Sequence, residues 1–257
     1  MSSLSLSMIW EETVAFLRRE SGLLVPVALA TLAPAQMLLS YATAAIAVTT
    51  PQPGSASPQA LLMLPALLLV VYGNLTISLI ALTPRISVRE ALLGAARRLP
   101  VTVAASLLVA VVFLGIVIVI TVVAAILLGA ASMSASPALS AFATIVTAVV
   151  VARFLLLLPM LAVENIRPLA AVRRAWALSR RHFLRFAAII LLSMMLASLL
   201  ALVNMIVLGS LSRIVGRAVG ATELAALAQL IFGAGLAALL SAAVAVFIAF
   251  TYRRVSA

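Results

Sequence analysis

Seventeen arginines, six glutamates and one histidine carry the ionic chemistry of this 257-residue chain, which has no cysteine, aspartate or lysine. Without cysteine there is no thiolate nucleophile, disulfide or sulfur-ligated metal. Glu164 and His182 are the pair a membrane-bound hydrolase could use at an interface. Metal-assisted hydrolysis needs several ligands converging on one ion. Glu11 and Glu12 suit the first turn of a helix capped by Ser7, and Glu20 and Glu90 also fall at helix ends. Glu223 falls on the opposite side of the chain's zigzag from the rest. No nucleophile, base and orienting group can be assembled. The expectation is a protein that is not an enzyme and holds no cofactor and no metal.

The arginines offer anion recognition instead. From Pro168, a residue suited to a first helical turn, Leu169, Val172, Trp176, Ser179 and Phe183 share one helical face. Arg173, Arg174, Arg180, Arg181 and Arg185 take the remaining arc. A basic amphipathic helix with tryptophan on its apolar edge fits the headgroup level, arginines reaching for phosphates. Arg173, Arg174, Arg180, Arg181 and Trp176 are therefore the expected contacts to anionic lipid. The simpler account is an orientation signal with an interfacial anchor. Arg153 is the ionised side chain deep in an apolar run, where burial costs roughly 2.5–3.5 kcal/mol on insertion scales. It should face the bundle or water, with Asn74 and Gln36 as partners in an intramembrane polar site. That site either receives an anion or headgroup, or is a structural arginine bonded to carbonyls and amides.

These side chains need a scaffold, and composition says which. Apolar residues make up 66% of the chain, charged residues 9%, and mean hydropathy is +1.32. A soluble domain carries about 25% charged residues, so a water-facing globule is excluded. Six apolar runs, at about 23–49, 60–82, 101–128, 138–163, 183–208 and 224–251, each reach the roughly 20 residues of a crossing. Short amphipathic surface helices are predicted at about 7–20, 87–99 and 168–182, the second opened by a Ser87–Glu90 capping box and ended by Pro100. The fold class is all-α, a polytopic bundle of six transmembrane helices in one domain, residues 1–257. Ala45-Ile46-Ala47 resembles a cleavage site, but the apolar run before it is too long for a signal core.

The N-terminal segment, the second and fourth links and the C-terminus hold fourteen arginines; the first and third links hold none and the fifth holds two. By the positive-inside rule the fourteen, and with them both termini, are cytoplasmic. The net charge of +11 is accounted for beside membrane spans, so nucleic acid is not an expected partner. Small residues recur along the sixth span at Gly233, Ala237, Ser241, Ala245 and Ala249, a stripe that lets a helix approach closely. Gly216 and Gly220 have the same spacing in a predicted link, where that reading loses its warrant.

One stretch also carries a family likeness. Arg153-Phe154, Pro159, Glu164, then Ala171 through Ser179 and His182-Phe183-Leu184-Arg185 resemble the membrane domain of the glycerophosphoryl diester phosphodiesterase family and related uncharacterised bacterial multi-pass proteins. Trp10 and Arg97-Arg98-Leu99-Pro100 extend the resemblance over most of the chain. It implies a bacterial inner-membrane protein connected with envelope lipids. The soluble phosphodiesterase domain fused in other members has no room here, and its acid and histidine ligands are missing, so the enzymatic name is not carried over. The functional expectation is an accessory or scaffold in membrane lipid or envelope maintenance. The alternative is a transporter or flippase-like protein handling an anionic lipid or small anion.

Overall fold

The computed structural model describes residues 6–48, 61–128, 137–164 and 166–256, nearly all helical, with no strand among them. The predicted link Thr50–Gln59 and most of Gly129–Pro137 lie outside the described residues, as do the side chains of Arg181 and His182. The helices are α1 (Leu6–Arg19), α2 (Ser21–Val48), α3 (Met63–Leu82), α4 (Val88–Leu128) and α5 (Pro137–Phe154). They continue as α6 (Leu157–Val163), α7 (Pro168–Val203), a π-helical turn (Asn204–Leu208), α8 (Gly209–Val219) and α9 (Thr222–Ser256). Six helical stretches are long and apolar enough to cross a membrane. The protein is an all-α, multi-pass membrane protein.

Helices α2, α3 and α9 pack on one another as the centre, with α4 against α3. Close approach there depends on small residues. A β-carbon at Gly73 would lie 2.5 Å from Leu32 Cδ2 and 2.9 Å from Thr31 Oγ1, and both neighbours are buried. On α9 the buried small residues are Ala234, Ala238, Ala242, Ala245 and Ala249. The predicted stripe holds at Ala245 and Ala249 and at Gly233, which Asn204 approaches closely, whereas the fully buried edge between them sits one residue over. Gly233, Ala237 and Ser241 line a cleft.

Two predicted breaks are absent. The segments 87–99 and 168–182 are not separate surface helices but run straight into the spans that follow them, as α4 and α7. No glycine or proline interrupts residues 169–203, so nothing stops α7. In α4, Pro100 removes one donor to the Ala96 carbonyl, and the helix carries on through it. The Ser87–Glu90 box does open α4: the Ser87 N–H donates to Glu90 Oε2 at 3.0 Å, and the Glu90 N–H to Ser87 Oγ at 3.2 Å. At about 1.5 Å per residue, helices of 41 and 36 residues are about 62 and 54 Å long. A hydrocarbon core of about 30 Å leaves their basic ends standing clear of it.

Other differences are local. Ser7 lies inside α1 rather than capping it, and Glu11 and Glu12 fall in its second turn. The fourth span is broken at Leu155-Leu156, where Pro159 has no N–H to give the Leu155 carbonyl. The break lets α5 pack along α7 while α6 tucks its buried Leu157, Met160 and Leu161 against α3. Gly209–Val219 is helix rather than link, ended by Gly220 at φ 68°, and Gly216 packs against Thr222 and Ala225. Gly216 alone serves helix packing; Gly220 has nothing within 4 Å of an added β-carbon and is the left-handed helix end, so the pair is not a GxxxG contact.

Candidate functional site

The four arginine-bearing segments meet at one end of the bundle. Glu12 of α1 pairs with both Arg253 and Arg254 of α9. Short helix α6 ends at the same level, and its C-terminal carbonyls need donors. Arg98 of α4 supplies them, its Nη1 donating to the Leu161 carbonyl at 2.9 Å and the Glu164 carbonyl at 3.2 Å. A cation there also complements the helix dipole. The Glu164 side chain then accepts from Arg174 Nη1 at 2.6 Å and from the Tyr252 hydroxyl at 2.5 Å. One residue therefore ties α4, α6, α7 and α9 together.

Glu164 is occupied as a clamp. His182 lies fourteen residues along α7 from Pro168, about 20 Å by helical rise, so the backbone does not bring it to Glu164. Sequence reasoning had no sign of this clamp, because Tyr252 and Arg98 stand 88 and 66 residues from Glu164.

The expected lipid contacts divide. Arg173 and Arg180 are exposed, seven residues apart on one face of α7, with no ion pair among the described residues. Arg174 is half exposed but held by Glu164. Arg181 falls among the side chains outside the described set. Trp176 keeps 49% of its surface exposed. The buried face of α7 is Ala171, Ala175, Ser179 and Phe186, turned by less than a quarter turn from the predicted apolar arc. Alanines admit the neighbouring helices, and Leu169 and Trp176 stay outside.

Arg153 does not join Asn74 or Gln36. Its guanidinium sits 4.8 Å from the Trp176 ring centroid and 4.7 Å from that of Phe183, and Phe154 contacts Trp176 at 5.9 Å. Cation–π contacts of this kind give about 0.5–2 kcal/mol each. Arg153 Nη1 is nevertheless buried without a hydrogen-bond partner, as is Ser179 Oγ, which lies between Trp176 and Phe183 on the same helical face. Asn74 Nδ2 donates to the Val70 carbonyl of its own helix at 2.9 Å. Gln36 lines a separate cleft nearer the other end. The three residues expected in one polar site occupy three places.

A cavity of about 660 Å³ opens at the basic end among Phe16, Arg19, Ile80, Arg85, Phe250 and Arg253. Arg85 there has φ 62°, a left-handed conformation uncommon for a residue with a side chain.

The fold and site define a class, an all-α polytopic membrane protein with a basic end clamped by a partly buried glutamate. No family model, curated protein or solved structure matches this chain.

Proposed function

We propose that this chain is a non-enzymatic multi-pass protein of a bacterial cytoplasmic membrane, with both termini inside the cell. Its role is an accessory or scaffold in membrane lipid or envelope maintenance, and its basic end holds anionic lipid. One observation carries the reading. Four of the five glutamates at that end, Glu12, Glu20, Glu90 and Glu164, are spent internally, on Arg253 and Arg254, Arg19, the Ser87 cap and Arg174; Glu11 is the exposed exception, against a large excess of arginine. Arg173 and Arg180 are left exposed, with a half-exposed tryptophan between them in sequence. Such a face attracts anionic headgroups at about 1 kcal/mol per arginine.

Spin-labelled phosphatidylglycerol and phosphatidylcholine, compared in proteoliposomes, test this. The chain should prefer phosphatidylglycerol, and Arg173→Ala with Arg180→Ala should cut that preference by about an order of magnitude. An unchanged preference in the double variant removes the lipid-contact reading. The second reading, transfer of an anionic lipid or small anion, is favoured by the partnerless Nη1 of Arg153. It predicts that Arg153→Met abolishes movement of labelled phosphatidylglycerol between leaflets, whereas the scaffold reading predicts no such movement by the native chain.

A further inference from the structure

Toward the end opposite the arginine collar, a cleft of about 580 Å³ opens between α2, the end of α7 and α9. Its polar lining comes from Gln36 and Ser40 of α2, Asn204 of the π-helical turn, and Gln229 and Ser241 of α9. None of the residues lining it is charged. Height follows from helical rise. Ser241 stands twelve residues from Arg253 and Gln36 sixteen from Glu20, about 18 and 24 Å from the basic end. Asn204 is nineteen residues beyond Arg185, about 28 Å. With a hydrocarbon core of about 30 Å, the cleft occupies the leaflet away from the arginines.

Amides placed in lipid normally bond across helices as glue. Here only Gln229 does so, accepting from Ser212 Oγ at 2.9 Å and keeping its own amide N–H donors. Asn204 Oδ1 is buried with no partner. That amide lies flat on Gly233, where a β-carbon would come within 2.8 Å of Nδ2. The small edge of α9 at Gly233, Ala237 and Ser241 makes the room. Asn204 also begins the π-helical turn, a distortion that recurs at functional sites. A broad amide torsion turns either edge of Asn204 toward the cleft.

We infer that this cleft binds an uncharged, hydroxyl-rich headgroup, a sugar or polyol carried on a lipid of that leaflet. Amides and hydroxyls both donate and accept, as sugar hydroxyls do. The lining itself holds no cation for a phosphate and no carboxylate for an amine; Arg213, at Gly209 beside Gln229, lies outside it and donates its Nε to the Gly209 carbonyl. Leucines of α7 and α9 complete the wall for the lipid's apolar part. The volume lies within the about 300–1,000 Å³ of small-molecule sites.

The full chain in phosphatidylcholine nanodiscs, prepared without sugar-headed detergent, tests the assignment by native mass spectrometry. Probes are monoglucosyl diacylglycerol, diacylglycerol, phosphatidylglycerol and free glucose. The native chain should retain the glucolipid about tenfold better than diacylglycerol. Asn204→Leu, which removes the amide, and Ser241→Phe, which fills the cleft while leaving every amide in place, should each erase that preference. Phosphatidylglycerol retention should stay unchanged in both. Equal retention of glucolipid and diacylglycerol by the native chain overturns the inference, as does a preference that survives Ser241→Phe. Displacement of glucolipid by millimolar glucose overturns the assignment to a lipid-borne group. Arg173→Ala with Arg180→Ala leaves the glucolipid preference intact, so the collar and the cleft fail separately.

Discussion

Glu164, the residue a motif search would pick as a catalytic acid, acts at the residue scale as a clamp. Its carboxylate is committed to one arginine and one tyrosine, and its backbone carbonyl to a second arginine. The ion pair with Arg174 is half exposed, so it contributes at most about 1 kcal/mol. The Tyr252 bond is stronger, because a buried hydroxyl meets a charged acceptor, worth about 1.5–3 kcal/mol. Tyr252→Phe should therefore lower the thermal midpoint more than Arg174→Met. Glu164→Gln combined with Tyr252→Phe should destabilise by less than the sum, with a coupling of about 1 kcal/mol or more. Additive losses in that cycle, read by thermal unfolding in nanodiscs, would show that the two side chains do not share a bond. Arg153 teaches a related lesson. Its depth in an apolar run was legible from sequence, but its neighbours were not. Trp176 and Phe183 come from the antiparallel α7, which packs along α5 just before the chain breaks ahead of Pro159.

Elements were legible where hydropathy alone decides them. All six crossings were read in the right order, because apolar length is a property each segment carries by itself. Their ends were less legible. An amphipathic stretch in front of a span is consistent either with a bend onto the surface or with a straight continuation. In α7 the helix simply persists, since breaking it would forfeit backbone hydrogen bonds with no turn residue to compensate, and α4 persists through Pro100 at the loss of a single bond. Helix-to-helix distance was legible only through small residues, and only in part. Gly73 shows the cost of error. Gly73→Ala must displace Leu32, which is fully buried, and should destabilise by about 1–3 kcal/mol. Gly22→Ala is the control, because nothing lies within 4 Å of the added carbon. Equal thermal midpoints for the two variants would contradict the close α2–α3 contact.

For the whole molecule, charge and packing give the same polarity by independent routes. The sequence separates fourteen arginines from the other links, and the structure gathers those segments physically, through Glu12 with Arg253 and Arg254, and Glu164 with Arg174. Arg213 and Arg217 sit on α8, beside the start of α9 at the other end, where Arg213 Nε donates to the Gly209 carbonyl. A membrane that retains arginine on its inner side then has one way to hold this bundle. Green fluorescent protein fused after Ala257 should fluoresce, and alkaline phosphatase inserted at Gly54 should be active, each at least about tenfold above the reciprocal fusion. Active phosphatase at the C-terminus would invert the molecule, putting the collar on the outer surface and the amide cleft in the inner leaflet. The interior packing would survive that inversion, since no helix contact depends on which side is the cytoplasm. The lipid assignments would not, because an inner-leaflet cleft meets a different set of headgroups.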